Sequence, residues 1–336
     1  MVRTGAHGYL KYDFETGYAS GGTANKKFGL QDRLSSFTTT NNRINLPELN
    51  SNLLSDFAYG QQNISASVSF VLSNPWIFGS VLGAPTSTTE SGSLKKHQYP
   101  ATSGLPKTSR TLLMEVGFDG ASADLVRTIK GGLVNSLSFS ASVGGLVEGT
   151  ADMAFGEETA PSTSLGSAPT KPTQEFPYTF AHAELRFGGN LVAQCQEASI
   201  SLAQNSELLY GLNSHHAVDS YKRVLDITGS FRASFVDKTL LEKVLEQIKA
   251  GTSSGTYSET VGGSPEFRLI FNKTNSIASD GTFTPSDESI EITLTGLSIT
   301  DLGISGFEPV EPIFEEINWQ AKTITVKAYN TQAAEE

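Results

Sequence analysis

The sequence has little of what cross-links or anchors many exported proteins. It contains one cysteine, Cys195, in 336 residues, which excludes an internal disulfide, so packing and assembly must supply the stability. No stretch approaches the roughly 20 consecutive apolar residues needed to cross a bilayer, and the first residues lack the apolar run of a signal peptide. We therefore expect synthesis in a cytoplasm and no membrane partner.

Basic residues are also scarce. The chain has 24 lysines and arginines against 35 aspartates and glutamates, which gives a net charge of −11. Tight binding of nucleic acid depends on cations that pair with phosphates, so this balance argues against it. DNA close to this protein would be repelled rather than held.

Groups of residues that carry chemistry are missing as well. No pair of carboxylates stands out from the acidic background, and no G-x-x-x-x-G-K loop is present to cradle a phosphate. His215 and His216 are adjacent, so their side chains point in different directions unless a turn reorients them. A metal site would need further ligands at suitable spacing, and a surface loop is the favoured interpretation. The sequence predicts no catalytic residue, no cofactor and no metal site.

An internal repeat is the most informative feature that is present. Residues 28–51 align with residues 191–214, and both segments end in Leu-Asn-Ser. The segments that follow both end in Ser-Phe-Val, at Val71 and Val236. A chain of this length accommodates two domains, and the repeat predicts that they are two copies of one unit.

Alternation of apolar and polar residues marks the strands, because successive side chains of a strand point to opposite faces of a sheet. In the first copy the apolar face has Ile64, Ala66, Val68, Phe70 and Leu72, and the polar face has Asn63, Ser65, Ser67 and Ser69. In the second copy the apolar face has Leu225, Ile227, Phe231, Ala233 and Phe235, opposed by Asp226, Thr228, Ser230, Arg232 and Ser234. Each copy therefore contains a half-buried antiparallel strand, and further alternating strands follow it.

A short helix is predicted directly after this strand in each copy. Asn74 and Pro75 suit the start of the first helix and Gly83 its end, while Asp237 and Gly251 bound the second. The predicted fold class is mainly β: two tandem antiparallel barrel or sandwich domains, each with a short covering α-helix.

The domain boundaries follow from composition. A segment rich in proline, serine and threonine at residues 157–177 is typical of a linker. The first domain is assigned to residues 1–156 and the second to residues 178–336.

The order of elements, the serine-lined strands of residues 136–155 and the segment DRLSSFTTTNNRINLPELNS resemble the major tail tube proteins of tailed phages and archaeal viruses. The resemblance covers nearly the whole chain and implies a structural virion protein of the tail, assembled in the host cytoplasm, with no catalytic residues. It implies stacked rings of sixfold-like symmetry around an inner β-barrel. Its partners would be further copies of itself, the tape-measure, tail terminator and baseplate proteins, and double-stranded DNA that passes without sequence-specific binding.

A duplicated tube domain changes the expected stoichiometry. If a ring needs six tube domains, three chains complete it, so we expect a trimeric ring, with a hexamer of full-length chains less favoured. Ring closure also pairs the sheet edges, which are otherwise poorly tolerated. A lumen of negative potential and short hydroxyl side chains offers passing phosphates no cation to pair with.

The segment from Pro85 to Arg110 is predicted to be a loop that carries the main basic cluster, and we expect it to bridge stacked rings toward an acidic surface near the C-terminus. The basic residues are Lys95, Lys96, Lys107 and Arg110, and the acidic residues are Glu308, Glu311, Glu315 and Glu316. A solvated surface loop without partners is the alternative.

Two other functions share this composition. A carbohydrate-binding or adhesive β-sandwich would also be acidic and rich in glycine and serine, but it would need an exposed aromatic platform or a calcium loop. A capsid decoration or baseplate protein could have similar strands, although it has no need for two equivalent copies.

Overall fold

The protein is described by a computed structural model that covers residues 8–47, 54–101, 110–118, 124–159, 176–187, 190–192, 195–235, 266–273, 288–306 and 312–332. Within these ranges the chain is mainly antiparallel β-structure, which confirms the prediction of a mainly β, antiparallel fold.

The elements follow one another in a long succession of strands. The first part of the chain has β1 (Gly8–Phe14), β2 (Leu30–Pro47), β3 (Leu54–Val71), α1 (Phe78–Leu82), β4 (Thr86–Ser91), β5 (Leu94–Tyr99), β6 (Leu112–Phe118), β7 (Leu125–Ser142), β8 (Glu148–Phe155) and β9 (Glu157–Glu158). After a single turn of 3₁₀ helix (Phe180–His182) follow β10 (Ala183–Phe187), β11 (Asn190–Leu191), β12 (Cys195–Ala203), β13 (Glu207–Tyr210), β14 (Ala217–Tyr221), β15 (Asp226–Ser234), β16 (Phe267–Asn272), β17 (Ser289–Thr295), β18 (Ser298–Ser305), β19 (Phe314–Ala321) and β20 (Thr323–Asn330).

The larger sheet has a continuous path of strands in the order β18-β19-β15-β12-β7-β8-β3-β2. The first half of the chain supplies β2, β3, β8 and β7, and the second half supplies β12, β15, β19 and β18. Strands β7 and β12 are hydrogen-bonded to each other, so the two halves share one sheet. Strands β1, β6 and β9 branch from this path through the N-terminal part of β7.

The second sheet has the order β11-β10-β16-β17-β20-β5-β4, and β13 and β14 form a separate hairpin. The hairpin of β4 and β5 belongs to the first half of the chain, yet it pairs with β20 at the end of the second half. The two halves are therefore connected through both sheets.

Strand order is the same in the two halves. In the first half the order is β2-β3-β8-β7, and in the second half it is β12-β15-β19-β18. In each half, two early strands lie beside two later strands. The branch from β1 through β6 to β7 has the same antiparallel pairings as the branch from β10 through β16 to β17. Strand β9 then pairs with β7 as β20 pairs with β17.

An apolar core fills the space between the two sheets because the strands alternate as their sequences predict. Aromatic rings from different sheets meet there: Phe267 of β16 lies 4.9 Å from Trp319 of β19, and Phe187 of β10 lies 5.9 Å from Phe231 of β15, between ring centroids. Both tryptophans, Trp76 and Trp319, are buried. Burial of such large side chains is the main stabilising contribution to the fold.

The first predicted helix is present as α1, and all five of its residues are buried, so it is part of the core rather than a cover over its surface. The side-chain oxygen of Asn74 accepts a hydrogen bond from the Trp76 amide just before the helix, and Gly83 follows it with φ of 82°. The second predicted helix, between Asp237 and Gly251, lies outside the described residues.

One local prediction needs correction, and the structure adds detail at two other places. The segment from Pro85 to Arg110 is not simply a loop, because it contains the hairpin of β4 and β5. The first residues of the predicted linker, Glu157 and Glu158, form β9, and residues 160–175 lie outside the described part. Strands β1 and β10 were not predicted, although Leu10, Tyr12 and Phe14 alternate with polar residues in the first of them.

Candidate assembly surface

The two ends of the eight-strand path are the first candidate surface. In the described part of the chain, β2 pairs with β3 alone and β18 pairs with β19 alone. Each therefore presents one row of backbone N–H and C=O groups with no described strand beside it. Such an edge invites pairing with another strand, and proteins that keep it free usually shorten it or protect it with charge.

The pairing of β7 with β12 inside the chain shows what such an edge looks like when a neighbouring strand covers it. Strand β7 pairs with β12 over seven residues, with Leu137 opposite Leu202 and Ser138 opposite Ser201. Leu137 is 0% exposed in this position. On the free edge, the residue that stands in the same place is Ile304 of β18, which lies opposite buried Glu315 and is 39% exposed. The free edge thus leaves an apolar side chain uncovered.

The polar face of the eight-strand path is the second candidate surface. Small hydroxyl side chains form rows across neighbouring strands, as in Ser138, opposite both Thr150 of β8 and Ser201 of β12. Some of these hydroxyls bond to each other or to carboxylates: Ser199 and Ser230 lie 2.9 Å apart, and Ser136 donates to Asp152 at 2.7 Å. The side chains that form these rows are therefore mostly short.

Carboxylates outnumber the basic groups that we find on this polar face. The acidic residues are Glu148, Asp152, Glu197, Asp226, Asp301 and Glu316, and the basic residues are Arg33 and Arg232. Arg232 lies opposite Glu197 and Glu316 on the two neighbouring strands, so its charge is offset locally. The face therefore has a negative potential.

Apolar side chains are exposed at two hairpins beyond the ends of the sheet. The hairpin of β2 and β3 exposes Ile44, Leu46 and Tyr59, and the loop and strand at the hairpin of β13 and β14 expose Leu212 and Val218. Exposed apolar groups that cluster on protruding hairpins are typical of protein interfaces.

The hairpin of β13 and β14 shows how such a hairpin packs. It lies against β3 of the first half, where the amide of Gln62 donates to the carbonyl of His215 at 2.9 Å and the hydroxyl of Tyr210 donates to the carbonyl of Gln62 at 2.9 Å. The ring Nδ1 of His215 also lies 2.9 Å from the carbonyl oxygen of Gly60. His215 is thus part of the contact between the halves.

Two polar side chains of the second half bind the end of α1. Gln204 donates to the carbonyl of Val81 at 2.6 Å, and Lys222 donates to the carbonyl of Ser80 at 2.7 Å. Carbonyls in the last turn of a helix lack partners within the helix, so these side chains satisfy them. Burial lowers the pKa of Lys222 from its usual 10.5 to about 7.

This lysine makes folding stability depend on pH. Between pH 7 and pH 10.5 the unfolded chain keeps the Lys222 proton that the folded chain releases, so the free energy of unfolding should rise with pH. The slope from one group is at most about 1.4 kcal/mol per pH unit. Replacing Lys222 with methionine should flatten this part of the profile, as measured by urea unfolding at pH 7, 8 and 9. Equal slopes in the two proteins would contradict the assignment.

The structure places some of the predicted inter-ring residues. Lys95 and Lys96 lie on β5, where Lys96 forms an ion pair with Glu90 at 3.0 Å and Lys95 donates to Thr89 at 2.7 Å. The guanidinium of Arg110 lies 3.9 Å from the centre of the Phe14 ring. Lys107 lies outside the described residues.

The structure describes two of the four predicted acidic residues, and these two face opposite sides of β19. Glu316 is exposed on the polar face of β19, whereas Glu315 is 1% exposed and faces the core, so Glu315 does not contribute to an acidic outer surface of the single chain. Glu308 and Glu311 lie outside the described residues. Sequence reasoning did not identify Ile304 or the edges of β2 and β18, because an edge exists only once the strands are paired.

Other kinds of site find no support among the described residues. They contain no group of three or more histidines, cysteines, aspartates or glutamates that could hold a metal ion. No helix in the same ranges has the length and hydrophobicity needed to span a membrane. The surface that the fold offers consists of open sheet edges, a polar sheet face and protruding hairpins.

These features define an antiparallel β-protein with two sheet edges that no described strand covers. Residues 5–321 match the sequence profile of the phage tail tube protein family, and the chain belongs to that family. A search of curated proteins found no match. The family is one of structural virion proteins and not of enzymes, and membership implies self-assembly into a tube, association with other tail components and a place in the virion tail.

Proposed function

We propose that three copies of this chain close edge to edge into a ring, and that the rings stack into a hollow conduit for genome delivery. The observation that carries the proposal is the eight-strand path, whose halves have the same strand order and whose two ends are unpaired in the described chain. Repeating one contact around a closed ring leaves no edge open, whereas a translation between rings gives a filament.

The common strand order supports an internal duplication. Both halves place an early hairpin beside a later one, and both connect to the second sheet through equivalent strands. If each half is one tube domain, three chains supply the six domains of a ring with sixfold-like symmetry. The contact of β7 with β12 is then the joint within each chain, and the same joint is repeated between chains.

The polar face of the eight-strand path lines the conduit in this proposal. The second sheet and the core lie on the opposite side of that sheet, so the serine- and threonine-rich face is the one left for the lumen. Its carboxylates repel phosphates and its hydroxyls provide no cation, so double-stranded DNA would slide past without sequence-specific binding.

The remaining partners follow from a tube of this kind. The tape-measure protein would fill the lumen during assembly in the host cytoplasm, and the terminator and baseplate proteins would close the two ends. Each of these proteins would contact an end or the inner face of the tube. The exposed residues Ile44, Leu46 and Tyr59 on the hairpin of β2 and β3 are candidates for contacts along the tube axis.

The basic hairpin is proposed to contact a neighbouring ring. Replacing Lys95 with glutamate is the cleaner probe because its hydrogen-bond partner, Thr89, is neutral, whereas a glutamate at position 96 would also face Glu90. We expect shorter or fewer tubes with unchanged rings, measured by electron microscopy over a range of salt concentrations. Replacing Lys95 with glutamine is the control, since it removes the positive charge without adding a negative one. Tubes of normal length from the glutamate variant would exclude this contact.

The proposal as a whole is tested by negative-stain electron microscopy of the purified chain, with mass photometry of the same sample. The expected result is rings with the mass of three chains, together with hollow fibres of constant width. A compact monomer at high concentration would refute the proposal, and rings of six full-length chains would refute the stoichiometry.

A further inference from the structure

The pairing of β7 with β12 inside the chain predicts the register in which the edge strands of neighbouring chains pair. We propose that β18 of one chain pairs antiparallel with β2 of the next, with Ser305 opposite Thr40 and Gly303 opposite Asn42. This inference rests on the proposed ring, since it specifies which strands meet in it and how they are aligned.

The first step is the topological equivalence of the edge strands. In the sheet order, β12 begins the second group of four strands as β2 begins the first, and β18 ends the second group as β7 ends the first. The joint of β7 with β12 therefore connects the end of one group to the beginning of another. Between chains, the same connection brings β18 to β2.

The second step transfers positions from one half to the other. The Ser-Phe-Val sequences that end at Val71 and Val236 place Ser67 of β3 in the position of Arg232 of β15. Ser67 lies opposite Ser36 and Asp152, and Arg232 lies opposite Glu197 and Glu316. Hence Ser36 corresponds to Glu197, and Asp152 corresponds to Glu316. The alignment of residues 28–51 with residues 191–214 would instead place Ser36 at Ser199, two residues further along β12. We follow the strand pairing, because both hairpins have a register shift at the same point, between Leu34 and Ser36 and between Cys195 and Glu197.

The third step follows the strands to the edges. Continuing along β2 and β12 from the corresponding pair, Thr40 takes the position of Ser201. Asp152 pairs with Ser136 as Glu316 pairs with Gly303, so Ser305 takes the position of Ser138. Since Ser138 lies opposite Ser201 within the chain, Ser305 should lie opposite Thr40 of the next chain.

The uncovered side chains agree with this register. Ile304 takes the position of Leu137, which is buried opposite Leu202 of β12, and Ile304 is 39% exposed in the single chain. Thr40 is exposed on the polar face, as expected for a residue that continues the row of hydroxyls through Ser138 and Ser201. Pairing of the edges would thus bury an apolar side chain and extend the polar face without a break.

The register is tested by pairs of cysteines in a Cys195→Ser background. Ser305→Cys is combined with Thr40→Cys, and separately with Thr38→Cys or Asn42→Cys, which shift the pair by two residues along β2. The intrachain control combines Ser138→Cys with Ser201→Cys, since these residues are paired within one chain. Assembled samples are oxidised gently, run on denaturing gels without reductant and imaged by electron microscopy.

The expected result is covalent dimers and trimers with Thr40→Cys, their loss with the two shifted positions, and an intrachain bond without multimers in the control. Directly opposite residues fall within disulfide range, whereas diagonal ones lie roughly 7–8 Å apart and exceed it. Rings that cross-link through Thr38→Cys or Asn42→Cys would overturn the register and leave the ring intact. Rings without any cross-link, where the control forms its bond, would overturn the pairing of β18 with β2. A chain that forms no rings would refute the proposed function itself.

Discussion

Replacing Ile304 with lysine should leave a folded chain that no longer forms rings. In the single chain this side chain is 39% exposed on the edge strand β18, so a lysine can reach water there. In the proposed joint the neighbouring β2 covers it, and the ammonium would lose its hydration, a cost that pairing with Glu315 on the opposite strand offsets only in part. That cost is several kcal/mol at each joint, and each ~1.4 kcal/mol reduces an association constant tenfold.

The measurement combines sedimentation velocity and electron microscopy with a thermal melt of the monomer. Val143→Lys is the matched control, because Val143 is also exposed but follows β7 and lies on neither edge strand. We expect Val143→Lys to form rings and Ile304→Lys to remain monomeric with a melting temperature close to that of the unmodified chain. Normal rings from Ile304→Lys would show that β18 is not part of the joint.

Replacing Gly229 with alanine should destabilise the chain strongly, although the change adds one methyl group. Gly229 lies in β15, and a Cβ atom at this position would be 2.2 Å from the carbonyl oxygen of Ser199 and 2.3 Å from the Trp319 ring. Both neighbours belong to adjacent strands of the sheet and cannot move apart without disturbing the pairing. We expect a loss of about 3 kcal/mol in the free energy of unfolding, at the upper end for overpacked sites.

Urea unfolding followed by tryptophan fluorescence measures this loss, since Trp319 is one of two tryptophans in the chain. Gly17→Ala serves as the control, because a Cβ at that exposed turn would have no atom within 4 Å. Its free energy of unfolding should change by less than about 0.5 kcal/mol. A similarly small change for Gly229→Ala would mean that β15 and β19 are not packed as described.

Much of the strand content could be predicted from the sequence, since alternation is a local property. The serine faces of β3 and β7 and the apolar faces opposite them are present as expected. The resemblance to tail tube proteins is confirmed by the family match. The trimeric ring, the domain boundaries and the inter-ring contacts stay predictions.

The errors have a common physical cause. The segment from Pro85 to Arg110 looked like a loop because threonine, serine and lysine give it no apolar face. Its strand β5 is nevertheless held by backbone pairing with β20, and β4 is held by pairing with β5. Fully buried His97 fixes β5 there, with its Nε2 2.9 Å from the side-chain oxygen of Asn330. A partner more than 200 residues away in sequence leaves no local signal.

By itself the sequence determined that the protein is mainly β, that its strands have one apolar and one hydroxyl-rich face, and that it belongs with tail tube proteins. These properties depend on side-chain periodicity and composition, which are read along the chain. Only the tertiary structure decided which strands are neighbours, and hence that β2 and β18 are the open edges and that Ile304 is uncovered. Strand pairing joins residues far apart in sequence through backbone groups that every residue carries, so no residue pattern encodes it directly.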